Sequence, residues 1–318
     1  MGEFKGLGLR GRMMRLLVIK HGALGDIIQG IDAFASLRAH FADAHISMLT
    51  TPPFAGLMEA MPYFDEVLVD KRAPIYQLGE MRRMRQIVKS GFDYIIDMQC
   101  SKRTSMYHRL FAPQGQKWLG TTKHCSHPYP DFSGVNNKDR MLQAAFMLGA
   151  PAIEGDLSFL SNPNKGAGVI AQDSPYAVLM PGCSPAKPSK KWPAAHYADL
   201  AKRLLAQSIK PVIIGTAVDK EACDAIEKAC PEALNLCGKT SLSALASLCA
   251  GADICVGNDS GPVFLAAKTG APTIMVMGPD TNPEMSAPTG AQATYLKAEA
   301  LADLAADEVY NAISRLKA

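Results

Sequence analysis

Three groups of residues in this 318-residue chain have types and spacing suited to chemistry on a charged ligand. The first is Gly257-Asn258-Asp259-Ser260-Gly261, between an apolar run, Asp253 to Val256, and a helical stretch from Pro262 to Thr269. This reads as a strand, a tight loop and a helix start. Pro262 suits the first helical turn, because the amide it lacks would have no intrahelical partner there. Ser260 or Gly261 can cap the helix, whose other free amides and dipole suit a phosphate. Gly270 and Pro272 stop it, and Thr273 to Met277 supplies the next strand of a βαβ unit. The glycines would equally close a plain turn. Polar Asn-Asp-Ser, however, stands beyond the carboxyl end of a strand, where open α/β sheets hold ligands.

The second group follows a strand from Arg15 to Lys20. His21 to Gly25 form a loop, and a helix is expected from Asp26 to about His40, with Ile27, Ile28, Ile31, Phe34 and Leu37 inward. Asp26 falls in the first turn, where the dipole and free amides favour a carboxylate. Spacing alone leaves it either a cap or an acid–base group. The third group, Lys102, Arg103 and Arg109, comes just after a strand from Phe92 to Asp97. These cations either grip an acidic ligand or are solvated helix charge.

The elements that must position these groups alternate along the whole chain. Ile46 to Leu49 and Glu66 to Val69 read as strands, Pro53 to Met61 and Ile75 to Lys89 as helices, the latter carrying Arg82, Arg83 and Arg85. Such alternation argues for a parallel sheet covered on both faces. Residues 115–137 have no periodicity and are expected to form a long loop, and Lys138 to Leu148 a helix. Pro, Gly, Asn and Asp accumulate from Ala150 to Ser174, which places a boundary between domains at 14–165 and 166–318. The second half repeats the rhythm, with strands at Tyr176 to Met180, Pro211 to Ile214 and Ala233 to Leu236. Its helices are expected at Ala194 to Gln207, Asp219 to Cys230 and Leu242 to Ala250. A last helix, Asp303 to Leu316, has an apolar stripe that needs a partner surface, the N-terminal domain being one choice. Each half is long enough to bury its own core.

No apolar run approaches the ~20 residues that span a bilayer, and Leu16 to Ile19 is too short for a secretory signal, so a cytoplasmic protein is expected. Residues 1–13 read as a disordered leader or a cloning remnant ahead of Met14. The eight cysteines form no C-x-x-C pair and read as reduced thiols. His124-Cys125-Ser126-His127 is a compact set of possible metal ligands, but no carboxylate stands at metal-site spacing and no metal is expected. The net charge of +3 is uneven, +5 over residues 1–165 and −2 over 166–318, which points to an anionic partner for the N-terminal half, though not to nucleic acid.

Several stretches, taken in order, resemble glycosyltransferase family 9, the ADP-heptose:lipopolysaccharide heptosyltransferases: RLLVIKHGALGD at 15–26, IIDMQCSKRTS at 95–105, LMPGCSPAKPSKKWP at 179–193, GKTSLSALASL at 238–248 and VGNDSGPVFLAAKTGAPTIMVMGP at 256–279. The resemblance implies an α/β protein of GT-B fold, two Rossmann-like domains with parallel sheets facing a central cleft. It implies metal-independent, inverting transfer from an ADP-sugar, a co-substrate, with no cofactor. Asp26, in the L-G-D motif with Gly25, matches the carboxylate that takes the acceptor's proton. Lys190 matches the lysine that meets the donor diphosphate, and Asp259, Ser260 and Gly261 match the donor site. Ser184 and Asp219 are placed more loosely, on a phosphate and on the ribose, and Gly25, Lys102 and Arg103 near an anionic, lipid-linked saccharide acceptor. That acceptor implies peripheral contact with the inner membrane. The family pattern G-P-M-H-L-A-A is G-P-V-F-L-A-A here, so Phe264, which can neither donate a hydrogen bond nor carry charge, replaces a histidine near the donor. Two other readings stay open: a nucleotide-sugar epimerase of similar fold, and a catalytically silent nucleotide-sugar-binding protein.

Overall fold

The structure, a computed structural model, describes residues 12–160 and 174–317. Residues 1–11, most of the expected leader, lie outside the described residues. The chain divides into two units, Met1–Gly155 and Asp156–Ala318, ten residues ahead of the boundary expected from composition.

The first unit runs β1 (Arg15–Ile19), α1 (Leu24–Gln29), α2 (Ile31–His40), β2 (His45–Thr50), α3 (Ala55–Ala60), β3 (Glu66–Val69), α4 (Leu78–Val88), β4 (Tyr94–Asp97), α5 (Lys102–Phe111), β5 (Lys117–Gly120), β6 (His127–Pro128) and α6 (Asn137–Phe146). Its six parallel strands lie in the order β3-β2-β1-β4-β5-β6. β1 is buried on both faces, with Leu16 to Ile19 fully buried, which is why it reads as an unbroken apolar run. The reversal of strand order between β1 and β4 is the switch point where ligands bind in such sheets. Ile19 pairs with Asp97 across it, so Lys20 and the loop after it lie beside the turn that follows Asp97.

Two expectations are corrected in this unit. The single helix expected from Asp26 to His40 is two helices that meet at Gly30. A Cβ at Gly30 would lie 2.8 Å from the Phe34 ring and 3.1 Å from the Met141 sulfur, so the glycine lets α6 pack closely where the helix is offset. The loop expected at 115–137 contains β5 and β6. Strands of four and two residues are too short to show a period, although Trp118 and Leu119 are fully buried.

The second unit runs β7 (Tyr176–Met180), α7 (Ala194–Ala206), β8 (Lys210–Ile213), α8 (Lys220–Ala229), β9 (Leu234–Asn235), α9 (Leu242–Ala250), β10 (Ile254–Asn258), α10 (Gly261–Lys268), β11 (Thr273–Met277), α11 (Pro283–Ser286), β12 (Ala293–Lys297) and α12 (Ala306–Lys317). Its order, β12-β11-β10-β7-β8-β9, repeats the first, with the reversal between β7 and β10. Both units are therefore Rossmann-like, as the GT-B fold requires. α12 packs on α7, and Val309, Ala312 and Ile313 join Tyr197, Leu200 and Leu204 in one core, so the last helix finds its partner surface within its own unit. No described helix is long and apolar enough to cross a membrane.

Candidate active site

In the first unit, Asp26 is the third residue of α1, whose N-cap Ala23 has no side-chain bond to offer. Its carboxylate is 42 % exposed and held on both oxygens. Lys20 Nζ lies 3.4 Å from Oδ2, and Asn137 donates to Oδ1 at 3.2 Å from the start of α6. Arg140, one turn on, donates to Asn137 at 2.6 Å and so fixes the amide that faces Asp26. Lys20 is fully buried. Burial pushes its ammonium below the ordinary lysine value, and the Asp26 charge pulls it back up. An exposed carboxylate backed by a buried cation is a group that holds one orientation while remaining open to a substrate hydroxyl.

Beside this pair lies a polar cluster. Asp97 accepts from the amides of Gln99 and Cys100 at 3.1 and 2.9 Å, yet its burial lifts the carboxyl to about 6. The Cys100 thiol is pushed up to about 12 by burial, which leaves it protonated and unreactive. The Tyr129 hydroxyl and Arg140 Nε are buried without a hydrogen-bond partner.

His21 is also buried and lies 3.3 Å from Asp70, without hydrogen-bond geometry on its Nε2. Burial lowers it to about 4, outweighing the opposing Asp70 charge, so the ring is neutral near pH 7. Its backbone carbonyl accepts from Thr51 at 2.7 Å and its amide donates to Gln99 at 2.9 Å, which ties the loop between β1 and α1 to two neighbouring strand ends.

Arg103 does not stand free to meet an acceptor. Its guanidinium spans both oxygens of Asp70 at 3.1 and 3.2 Å and donates to the Ala73 carbonyl at 2.9 Å. Asp70 is 1 % exposed and also accepts from Tyr107 at 2.6 Å; a buried carboxylate of this kind requires a cation. Lys102 is exposed and lines an open cavity of about 560 Å³ with Cys100, Ser105, Arg109 and Lys123. Gly25 is buried in the first turn of α1, beside Asp26.

In the second unit the loops after β7 and β10 meet at the other switch point, where Gly257 pairs with Met180. The loop after β7 ends in a short 3-10 turn, Pro188–Lys190, and the Lys190 ammonium pairs with Asp259. Asp259 also accepts from Thr281 at 2.8 Å and is largely buried. Its carboxylate thus holds the Lys190 ammonium, which has three donors and so keeps others for a ligand. Asn258 fastens the same loop: its oxygen accepts from the Trp192 amide at 3.0 Å and Tyr197 at 3.1 Å, and its Nδ2 donates to the Pro181 carbonyl at 2.6 Å.

Ser260 is the N-cap of α10 in extended conformation, but its side chain makes no cap bond and its Oγ is buried without a partner. The first amides of α10 therefore lack the side-chain acceptor that such positions usually have. Gly261 begins the helix, and Phe264, at the histidine's place in the motif, is 7 % exposed. Ser184 is exposed in the loop after β7. Asp219 caps the turn after β8, accepting from the Thr216 amide and hydroxyl at 2.9 and 2.8 Å. A Cβ at Gly182 would lie 2.6 Å from that carboxyl group, so the two loops touch there and a larger residue would push the Asp219 side chain aside. Lys190, Asp259, Ser260 and Gly261 are thus gathered at one switch point, and Asp26 and Gly25 at the other.

Lys20, Asn137 and Arg140 were missed by the sequence reading. Lys20 carried one signal, a charge that ends an otherwise apolar, doubly buried strand; Asn137 is 111 residues from Asp26 and carried none. Among the described residues no three His, Cys, Asp or Glu side chains gather as metal ligands, and His127 instead bonds Ser126 at 2.8 Å.

Comparison with known proteins adds the following. Residues 81–309 match Glycosyltransferase family 9 (heptosyltransferase). The chain is 25 % identical over 316 residues to the lipooligosaccharide heptosyltransferase 2 of Haemophilus influenzae, with 89 % of this chain and 88 % of that protein covered. It superposes on the Escherichia coli ADP-heptose LPS heptosyltransferase II with a TM-score of 0.81 at 21 % identity, covering 96 % of this chain and 98 % of that one. The E. coli heptosyltransferase WaaC, solved with ADP, gives a TM-score of 0.79 at 20 % identity, covering 95 % of this chain and all of that one.

Proposed function

Because the chain belongs to glycosyltransferase family 9, the heptosyltransferases, we propose that it moves a heptose from ADP to a saccharide of the lipopolysaccharide inner core, with inversion at the sugar carbon. The observation that carries the reading is the second unit's switch point, where a largely buried ammonium, Lys190, stands beside the uncapped start of α10. A nucleoside diphosphate leaving as an anion needs such neutralisation. In this reading Lys190, Ser260 and the Gly261 amide take the diphosphate, and Asp259 positions Lys190. Ser184 takes a phosphate oxygen, and Asp219 the ribose.

Asp26 serves as general base. It takes the proton of the acceptor hydroxyl as that oxygen forms its bond to the sugar carbon and the carbon–oxygen bond to ADP breaks. Lys20 and Asn137 hold the carboxylate in one orientation. Gly25 and Lys102 belong to the acceptor side, and Arg103 acts there only by fixing Asp70. The reaction draws on ADP-heptose as co-substrate and on no cofactor or metal. A lipid-linked acceptor places the enzyme on the cytoplasmic face of the inner membrane.

The test is ADP release by the purified protein from ADP-heptose, with and without a Kdo-lipid A acceptor. Release that depends on the acceptor is expected. Turnover of the donor alone would replace the reading with an epimerase, and nucleotide binding without transfer would replace it with a silent binding protein.

A further inference from the structure

The start of α4 leaves three large apolar side chains in solvent: Ile75 at 66 %, Tyr76 at 77 % and Leu78 at 64 % exposure. They are not loosely held. The segment before them is pinned by Arg103 on the Ala73 carbonyl and by the Arg72 amide on Asp70, and it turns through the bond from the Gln77 amide to the Pro74 carbonyl. Met84 and Val88 face α4 into the core, so the opposite side of the helix stays outside. Along its exposed flank Leu78, Arg82, Arg85 and Lys89 follow at intervals of four, three and four residues, which places them on one stripe, and all four are exposed. The one carboxylate in the segment, Glu80, is already paired with Lys71 and Arg83. Arg82, Arg85 and Lys89 make no ion pair among the described residues.

An apolar tip continued by a stripe of free cations matches a membrane surface, whose apolar interior lies under anionic headgroups. A second copy of the chain docked through the same face would set these cations against their like-charged counterparts. We infer that this face of the first unit docks on an anionic lipid surface, Ile75, Tyr76 and Leu78 entering the headgroup layer and the stripe lying on the phosphates. The inference rests on the reading of a lipid-linked acceptor and adds where the protein meets the bilayer.

The test is flotation of the full chain with vesicles of phosphatidylglycerol and phosphatidylethanolamine, and with phosphatidylcholine alone. Binding to the anionic vesicles is expected, weakening with salt. Each cation at such a surface strengthens binding about fivefold. The variant R82Q/R85Q/K89Q should therefore lose about a hundredfold, and I75S/Y76S/L78S at least tenfold. All six positions are exposed, so circular dichroism should report unchanged folds. Turnover of a soluble, deacylated acceptor should also be unchanged, which separates this inference from the reading of the reaction. Equal binding by wild type and both variants, no vesicle binding at all, or a dimer in sedimentation that I75S/Y76S/L78S abolishes would each overturn it.

Discussion

Replacing Lys190 by methionine separates two roles that one residue holds at once. The side chain is 14 % exposed and its partner Asp259 is 6 % exposed, so the variant leaves a nearly buried carboxylate with Thr281 alone. Breaking a buried pair from one side costs about 3–5 kcal/mol. For a unit of this size that is a fall in melting temperature of about 10 °C. The double variant K190M/D259N removes the orphaned charge, keeps an oxygen for the Thr281 hydroxyl, and should recover most of that loss. Activity should not follow. Loss of one group that stabilises the departing diphosphate raises the barrier by ~3 kcal/mol, so both variants should be about a hundredfold slower in kcat. Thermal unfolding and steady-state ADP release on the three proteins decide it. A double variant that regains both stability and rate would refute the assignment, because Lys190 would then act only as a counter-ion to Asp259.

Three further outcomes follow from the first unit. Asp26→Asn should lower kcat by ~10²–10⁴ with little change in donor KM; an unchanged rate would remove Asp26 as the base. Lys20→Met should unfold at the same temperature as wild type or higher, because an isosteric apolar group replaces a buried charge whose partner is partly solvated, while kcat falls at least tenfold; a stability loss with full activity would make Lys20 purely structural. Asp97 and His21 should tilt stability in opposite directions with pH. The Asp97 carboxyl rises from 3.8 to about 6 on folding, so its contribution is present at low pH and is lost as pH climbs through that window, by about 3 kcal/mol in all. His21 falls from 6.5 to about 4, so its contribution is lost as pH drops through the window, by a similar amount. Denaturant titrations of Asp97→Asn should therefore show stability rising from pH 4 to 6 relative to wild type, and those of His21→Gln falling; parallel curves for either variant would disprove its shift.

Much of this arrangement is legible before any coordinates. Two glycine-bearing loops, each between an apolar run and a helix start, mark Asp26 and Asp259 to Gly261, because ligand sites at strand ends need tight turns and free amides. What sequence does not carry is strand order, which alone makes the loops after β1 and β4 neighbours and brings Lys20 up to Asp97. It also hides which cations are already spoken for. Arg103 and Lys102 are adjacent and alike in type, yet one is locked on Asp70 and the other makes no ion pair among the described residues, a difference set by the burial of a carboxylate 33 residues away. Asp259 is the same lesson from the anionic side, since its carboxylate is paired with Lys190, 69 residues away. β5 and β6 escape notice because a period needs more residues than they have.

The amide of Asn258, with its three bonds to Trp192, Tyr197 and Pro181, has a consequence for affinity. The loop that carries Lys190 is already set in its working shape by the framework, so an arriving nucleotide has little ordering left to cause. Calorimetry of ADP should accordingly show a small unfavourable entropy, and Asn258→Ala should weaken ADP by enlarging that entropy more than by reducing the heat released.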